Sequence, residues 1–324
     1  MQNGILITSL DFELFWGMQD GRELSEYENN VLGGRKVIPK LLYLFEKYGI
    51  HATWATVGFM FAQDYDELKT YFPRKDLWPD YEKKELSSYR CFDWIGENEK
   101  TAPCFYAPSL IRKISKVKGM EIASHTFSHY YCREKGQTLE QFEADMRAAK
   151  SIAKDKGYDL TSVVLPRNQC EPEYTKVLQK LGFTAYRDEE NDWIHKKIKK
   201  RSLLRLLRLC DVYLPLTGQG GYIPQDEDGI WNLMGSRMYK PFFKPLKVLE
   251  RLKIKRIKRQ MLHAARKGLV FHLWWHPHNI GIYKKFHMRQ LEEIFRYYDY
   301  LHKKYGMRSF NMREMTKELE EVRK

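Results

Sequence analysis

Apolar residues recur along the chain at two spacings, which predict an alternation of strands and helices. Nearly every residue from Gly4 to Asp11 is apolar or β-forming, which predicts a buried first strand. Further strands are predicted at 52–57, 121–124, 162–165, 183–186 and 269–274, and helices at 37–48, 139–156, 172–181 and 288–305. Asn311 and Glu314 have the spacing of a capping box for one more helix. This alternation predicts a parallel sheet, open or closed into a barrel, in a single α/β domain spanning residues 1–324.

Two kinds of segment depart from the alternation. Residues from about 70 to 108 mix proline, aromatic and charged residues without a clear period, which predicts a long insertion that lines a cleft. Two basic segments, about 195–210 and 241–267, place leucine or isoleucine at helical spacing between lysines and arginines. Such a segment is usually a helix with its apolar stripe in the core. The alternative is an amphipathic helix that lies on an anionic membrane surface.

Composition and charge narrow the classes of protein. The hydrophobic content of 43% excludes general disorder. The formal net charge of +14 predicts affinity for a polyanion, and no nucleic-acid reading motif accompanies it, so nucleic acid is not a predicted partner. The chain shows neither a membrane-spanning apolar run nor a signal-peptide pattern. Five cysteines without CxxC spacing are typical of reduced thiols. We therefore expect a cytoplasmic protein, with peripheral contact at the inner face of the membrane if the basic segments bind lipid.

Two carboxylates follow the first predicted strand. Asp11 and Glu13 are two residues apart, so in a strand they face the same way. They point toward the opening beyond the carboxyl end of the strand, where active sites of α/β barrels form. Phe12, Phe15 and Trp16 suggest a pocket with aromatic walls. The alternative is that one carboxylate caps the following turn and the other is exposed.

Two histidines follow the strand predicted at 121–124. His125 and His129 are four residues apart, a spacing that can aim both imidazoles at one ion. With an upstream acid they make an Asp/Glu–His–His site that leaves positions open for water and substrate. Zinc is the predicted metal, and cobalt, nickel and iron also fit nitrogen and oxygen ligands. Two ordinary histidines in a helix are the alternative.

Two other strand ends carry candidate catalytic residues. Arg167 could hold a catalytic carboxylate in place and keep its pKa low, or it could be a surface arginine. His276 follows a predicted strand and could act as a general acid. His278 could contact substrate or cap the next turn. Candidates to stack on a sugar ring are Trp16, Trp94 and Trp275, of which Trp275 fits a core position better.

In this order the motifs resemble those of the polysaccharide deacetylase family, carbohydrate esterase family four, whose members share the NodB homology domain. The first motif is similar to Ser9-Leu10-Asp11-Phe12-Glu13, and the second is matched by His125-Thr126-Phe127-Ser128-His129. The third resembles Pro166-Arg167-Asn168, the fourth Asp192-Trp193 and the fifth the strand that ends at His276. The resemblance extends over nearly the whole chain.

The resemblance implies a role for each matched residue. Asp11 would be the general base, and the metal ligands would be Glu13, His125 and His129. Arg167, Asp192 and His276 would complete the catalytic set, and Asn168 and His278 would lie near the substrate. The chain departs from the family in having Asp-x-Glu where adjacent aspartates are usual, so a swapped assignment of Asp11 and Glu13 stays open. The arginine motif also lacks its usual following proline.

The implied fold is a distorted (β/α)7-8 barrel of the glycoside hydrolase and deacetylase type. The implied activity is metal-dependent removal of an N-acetyl or O-acetyl group from a sugar. Because a cytoplasmic protein is expected, the predicted substrate is a lipid-linked or nucleotide-linked amino sugar of surface-polysaccharide assembly. Two alternatives remain: an allantoinase-like amidohydrolase that acts on a small non-sugar amide, and a non-catalytic glycan-binding relative.

Overall fold

The computed structural model describes residues 3–189, 194, 201–218 and 220–323. The predicted motif Asp192-Trp193 lies outside these residues, as does the beginning of the first basic segment. The strands are β1 (Ile5–Phe12), β2 (Ala52–Thr56), β3 (Met120–Ser124), β4 (Ser162–Val164), β5 (Ala185–Arg187), β6 (Gln225–Glu227), β7 (Ile230–Asn232), β8 (Arg237–Met238), β9 (Val270–Trp275) and β10 (Arg308–Phe310). The α-helices are α1 (Leu24–Tyr48), α2 (Tyr65–Lys69), α3 (Pro108–Ser115), α4 (Leu139–Asp155), α5 (Pro172–Lys180), α6 (Arg201–Tyr213), α7 (Glu250–Lys267), α8 (Lys284–Tyr305) and α9 (Met312–Arg323).

These strands form one sheet in the order β6-β7-β5-β4-β3-β2-β1-β9-β8, with β10 also paired to β1. Every pairing is parallel except that of β6 with β7. Residues 233–236 connect β7 to β8 and bond to strands on both sides. The Leu233 N–H donates to the Tyr186 carbonyl at 2.8 Å, and the Ser236 N–H donates to the His272 carbonyl at 2.9 Å. This connection brings the two ends of the sheet together, and the predicted α/β class with a parallel sheet is confirmed.

Helix α1 begins at Leu24, well before the predicted start at Val37. Gly33 and Gly34 interrupt the apolar pattern there, and the helix needs both because it packs on the turn that follows β9. A Cβ at Gly34 would lie 2.8 Å from the Cα of His278, and one at Gly33 would collide with the backbone of Gly281. This close approach fixes the turn that carries His276 and His278.

Helix α9 has the predicted capping box. The Asn311 Oδ1 accepts from the Glu314 N–H at 2.8 Å, and the Glu314 Oε2 accepts from the Asn311 N–H at 3.0 Å. The two bonds satisfy N–H groups that have no partner within the helix. The prediction of a last helix beginning here is therefore confirmed.

The predicted insertion forms short 3-10 helices at Lys75–Leu77, Lys84–Leu86 and Ser88–Asp93. Its aromatic rings pack on one another, and Trp78 stacks on Tyr89 with ring centroids 4.0 Å apart. The insertion also contacts the loop that carries the two candidate metal-binding histidines, since the Ser88 hydroxyl donates to the Ser128 carbonyl at 2.6 Å.

The two basic segments differ in how they pack. Helix α7 buries an apolar face of Ile254, Ile257 and Met261, the ordinary arrangement for such a segment. Helix α6 leaves Leu203, Leu206 and Leu209 exposed. Within the part of the chain that the structure describes, no helix is both long and apolar enough to cross a bilayer.

Candidate metal centre

The first strand delivers two buried carboxylates to one end of the sheet. Asp11 lies within β1 and Glu13 directly after it, and each is 3% exposed. The chain turns at Leu14, which has a φ of 51°, and folds back so that Gly17 lies against the Glu13 carboxylate. A Cβ at Gly17 would overlap that carboxylate, so glycine is required for Glu13 to face inward.

The loop after β3 positions His125 and His129. Thr126 and His129 have φ values of 64° and 59°, so the segment is a tight loop and not a helical turn. The buried Asp145 side chain, from α4, accepts the Phe127 N–H at 2.7 Å and the Ser128 N–H at 3.1 Å, and it also accepts the Ser128 hydroxyl. One carboxylate therefore holds the backbone between the two histidines.

Glu13, His125 and His129 converge on one point. The Glu13 Oε2 lies 3.1 Å from the His125 Nε2 and 3.0 Å from the His129 Nε2. One donor atom from each residue falls within 4.8 Å of the others. The three side chains, which come from two separate strand ends, form the candidate metal centre predicted from the sequence.

The protonation states of this cluster fit a bound cation. The His125 Nδ1 lies 2.7 Å from the Val164 carbonyl, which can only accept, so Nδ1 carries the proton and Nε2 presents a lone pair when the ring is neutral. Burial favours the neutral form of Glu13, but the charge of His276 and the close contacts with His125 and His129 outweigh it and hold the Glu13 pKa well below its ordinary value. Burial also lowers the pKa of His129. Imidazole lone pairs that face a carboxylate oxygen repel it unless a cation lies between them, so the donor set fits a divalent metal.

Arg187, at the end of β5, holds the Asp11 carboxylate. Its Nη1 and Nη2 donate to the two Asp11 oxygens, each at 2.7 Å, and its side chain is fully buried. Ser9 and Asn168 accept further bonds from the same guanidinium, which also stacks over Trp274 at 4.2 Å. Burial works to raise the Asp11 pKa, but Arg187 together with His276 lowers it below its ordinary value.

The sequence assigned this carboxylate-holding role to Arg167, and the structure corrects that assignment. Arg167 pairs with Asp20 and with Glu134, and its guanidinium lies over the Tyr131 ring. Arg187 was missed because the predicted strand ended one residue before it. The same rule, polar residues at the carboxyl ends of parallel strands, would have identified Arg187 once the strand boundary was known.

His276 lies between the two carboxylates. Its Nε2 is 3.5 Å from the Asp11 Oδ2 and 3.5 Å from the Glu13 Oε1, and 19% of its side chain is exposed. His278 is buried, with its Nε2 3.8 Å from the Glu13 Oε1 and its ring edge-on to Tyr27. Burial lowers the pKa of His278 to about 3, so its ring is neutral at physiological pH. Both histidines therefore belong to the same site, and His276 is the one that solvent reaches.

The three candidate tryptophans have different environments. Trp16 is fully buried and donates its indole N–H to the Phe105 carbonyl at 2.8 Å. Trp275 is also fully buried, as the core interpretation predicted. Neither is available to stack on a sugar, whereas Trp94 is exposed. Trp274 was not among the candidates, yet together with Asn168 it lines a cleft of about 450 Å³ beside Arg187.

Replacing Asp145 by alanine is expected to lower the free energy of unfolding by about 2–4 kcal/mol, because it leaves two buried backbone N–H groups and a hydroxyl without an acceptor. Chemical denaturation measures this loss. Glu140→Ala is the matched control, since Glu140 is exposed on the same helix, and it should change the free energy by less than about 0.5 kcal/mol. Equal effects of the two changes would show that Asp145 does not support the histidine loop.

Comparisons with known proteins agree with this arrangement. Residues 29–186 match the family model for polysaccharide deacetylase. A structure from Mycobacterium smegmatis, assigned as a polysaccharide deacetylase, is 13% identical, with 100% of this chain and 92% of that one covered and a TM-score of 0.64. A structure from Pseudomonas aeruginosa PAO1 with the same assignment is 13% identical, with 97% and 90% covered and a TM-score of 0.57. Puue allantoinase is 12% identical, with 98% and 90% covered and a TM-score of 0.58. No curated protein matches the sequence.

The predicted fold class, a distorted barrel of the deacetylase type, is confirmed by these structures, which cover nearly the whole chain. Their identity to this chain is low, so they establish the fold and not the substrate. The family match covers β2, the histidine loop and β4, and it ends at Tyr186, one residue before Arg187. Residues 29–186 therefore match the polysaccharide deacetylase family, and the chain as a whole has the fold of the solved structures assigned to it.

Proposed function

We propose that this protein is a metal-dependent hydrolase that removes an acetyl group from the nitrogen, or the oxygen, of a sugar. The observation that carries the proposal is the convergence of Asp11 and His276 on the Glu13–His125–His129 cluster. A base, an acid and a metal site within a few ångströms of one another are the groups that amide hydrolysis requires.

Each residue of the site has a separate role in the proposed reaction. Glu13, His125 and His129 would hold a divalent ion, which would polarise the acyl carbonyl and make the attacking water more acidic. Asp11 is ionised and is held by Arg187, so it accepts the proton of the attacking water. His276, in its protonated form, donates a proton to the departing sugar nitrogen as the carbon–nitrogen bond breaks. Water and the acetamide thus become acetate and a free amine.

The substrate we propose is an amino sugar linked to a lipid or a nucleotide. The cleft of about 450 Å³ beside Trp274 and Asn168 has the volume of a small-ligand site. Arginine or lysine occupies five of its lining positions and a carboxylate two. Arg133, Arg167 and Arg237 pair with carboxylates, so the proposed contact to an anionic group such as a phosphate rests on Arg208, which is exposed in the cleft. The lining residues with charge are Arg133, Arg167, Arg208, Arg237, Lys240, Glu189 and Asp211.

We also propose zinc as the metal and the cytoplasm as the location. Nitrogen and oxygen donors without a thiolate suit zinc, and they also suit cobalt, nickel or iron. The five cysteines are unbridged in the structure, in keeping with a reducing compartment. Fractionation of cells that express the natural gene would test the location directly.

The decisive experiment combines metal analysis with acetate release. Purified protein should contain a divalent metal and release acetate from an N-acetyl sugar in a panel of free, nucleotide-linked and lipid-linked forms. We expect the free sugars to be the poorest substrates, because they lack the anionic group that the cleft favours. Protein that contains no metal and releases no acetate from any member of the panel would overturn the proposal.

A second candidate is an amidohydrolase that acts on a small non-sugar amide. It is favoured by the bridge from Arg167 to Asp20 and Glu134, which ties together the loops that follow β1, β3 and β4. The fold similarity to Puue allantoinase makes allantoin the natural probe. Hydrolysis of allantoin without acetate release from any sugar would favour this alternative.

Replacing Arg187 by glutamine is expected to lower kcat/KM by about 10–10²-fold and to move the acidic limb of its pH profile to higher pH. The sign follows from the removal of a cation that lowers the Asp11 pKa, so the base becomes protonated at a higher pH than in the wild type. Arg167→Gln is the control and should leave the limb in place, since Arg167 pairs with other carboxylates. A limb that shifts equally in both variants would contradict the assignment of Arg187 as the positioning residue for Asp11.

A further inference from the structure

Helix α6 presents leucines that the described residues leave exposed. Leu203, Leu206 and Leu209 are 42%, 56% and 40% exposed. None of the described side chains from Ser202 to Cys210 is buried. By helical spacing the leucine positions fall on one broad face of α6, and the arginine positions 201, 205 and 208 fall on the opposite face. The described residues therefore cover the apolar face of α6 only in part, with Leu204 and Leu207 half-buried.

A basic groove of about 770 Å³ lies between the end of α6 and α7. Leu214 and Leu252 on its wall are 50% and 40% exposed. The groove is also lined by Lys255, Arg259, Arg266 and Lys267, which are exposed, and by no aspartate or glutamate among the residues described. Apolar side chains and exposed positive charge therefore lie side by side on this surface.

We infer that this surface, made of the leucine face of α6 and the groove against α7, docks on an anionic lipid bilayer. Leucines exposed on an amphipathic helix gain from entering the boundary between headgroups and acyl chains. Lysines and arginines next to them gain from the negative surface potential of anionic lipids. The net charge of +14 strengthens the attraction over a longer range.

A second copy of the chain is a poorer occupant for the same surface. A two-fold dimer would place this patch against itself, so the exposed cations of the two α7 helices would face one another. Among the described residues the groove offers no carboxylate that could relieve this repulsion. A bilayer of anionic lipids supplies both the apolar phase and the opposite charge.

Docking in this way would place the cleft of about 450 Å³ that Trp274 and Asn168 line near the membrane surface. Arg208, Asp211 and Val212 of α6 line that cleft, while Tyr213 at the end of the same helix lines the basic groove. Asp211 also pairs with Arg256 of α7 at 2.7 Å, which links α6 to the wall of the groove. A lipid-linked sugar in the same membrane could then reach the cleft. Only this conclusion about the substrate rests on the proposed function.

Vesicle co-sedimentation of the full chain tests the inference without any need for activity. At low salt the protein should pellet with phosphatidylcholine vesicles that contain phosphatidylglycerol, should remain free with pure phosphatidylcholine, and should dissociate at high salt. Leu206→Asp should lower the partition coefficient at least about tenfold. Val322→Asp is the matched control, since Val322 is an apolar residue 66% exposed on α9, and it should bind like the wild type.

Reversing the charge of residues in the groove is an independent test of vesicle binding. Lys255→Glu combined with Arg259→Glu should lower the partition coefficient at least about tenfold, because both residues are exposed in the groove. The control, Lys36→Glu combined with Lys40→Glu, reverses two exposed lysines of the same spacing on α1 and should bind like the wild type. All variants should keep the wild-type circular dichroism spectrum and the wild-type rate on a soluble substrate. Because vesicle binding is measured without any substrate, a failure of the proposed enzymatic function would not affect this test.

Three outcomes would overturn the inference. The first is wild-type protein that does not bind anionic vesicles at low salt. The second is charge-reversed or Leu206→Asp protein that binds as well as the wild type. The third is a dimer, found by analytical ultracentrifugation, that Leu206→Asp dissociates, since the leucine face would then be an interface between copies of the chain.

Discussion

Replacing Asp11 by asparagine is expected to lower kcat for acetate release by about 10²–10⁴-fold and to leave the metal content unchanged. Asparagine has nearly the shape of aspartate and can still accept a hydrogen bond from Arg187, but its amide cannot take a proton from water. The three side chains that converge on the candidate metal centre are untouched by the change. Kinetics of acetate release and elemental analysis of the same preparation measure both parts of the prediction.

The stability of the Asp11→Asn protein must be measured as well, because the substitution leaves the buried Arg187 without its anionic partner. Loss of one member of a buried ion pair can cost about 3–5 kcal/mol. Here Ser9 and Asn168 still accept from the guanidinium, so the melting temperature should fall but the fold should persist. A variant that loses its metal would instead identify Asp11 as a ligand and Glu13 as the base, and a variant with wild-type kcat would exclude Asp11 from proton transfer.

Replacing His125 by alanine is expected to remove the metal and, with it, all measurable acetate release. The substitution deletes one of three donors that converge in a buried site, and the two that remain cannot hold a divalent ion against a chelator. Elemental analysis after dialysis against a chelator measures the loss. After such treatment, excess zinc should restore acetate release to the wild-type protein but not to the variant.

His278→Ala is the matched control for His125→Ala. His278 is equally buried and lies 3.8 Å from the Glu13 Oε1, but it stands outside the cluster of converging donors. We therefore expect this variant to keep its metal. Loss of the metal from both variants would show that the site has a fourth protein ligand, and retention in both would show that the metal binds elsewhere.

The predictions from sequence were strongest where an apolar run was long. β1 and β9 are eight and six residues long, and their runs predicted both strands. β6, β7 and β8 have two or three residues each and were missed, and β6 contains no apolar residue. β4 and β5 are as short, but longer apolar or β-forming runs at 162–165 and 183–186 predicted them. The start of α1 was also missed, because its close packing on the turn after β9 requires two glycines that a sequence pattern marks as a break.

The residues of the candidate site were also predicted only in part. Asp11 lies near the end of a strand, and Glu13, His125 and His276 each follow a strand of the same sheet, so the topology brought them together. Arg187 and Asp145 could not be identified in this manner. The first depended on a strand boundary one residue beyond the predicted one, and the second comes from a helix and acts through a loop that is distant in sequence.

The bond from the His125 Nδ1 to the Val164 carbonyl has a consequence for mutation. The acceptor belongs to the main chain of β4, so no side-chain substitution at position 164 deletes it. The backbone of the sheet therefore fixes the orientation and the tautomer of His125. Variation in the residues around the pocket can change which substrate enters, while this ring keeps presenting the same nitrogen to the metal position as long as β3 and β4 stay paired.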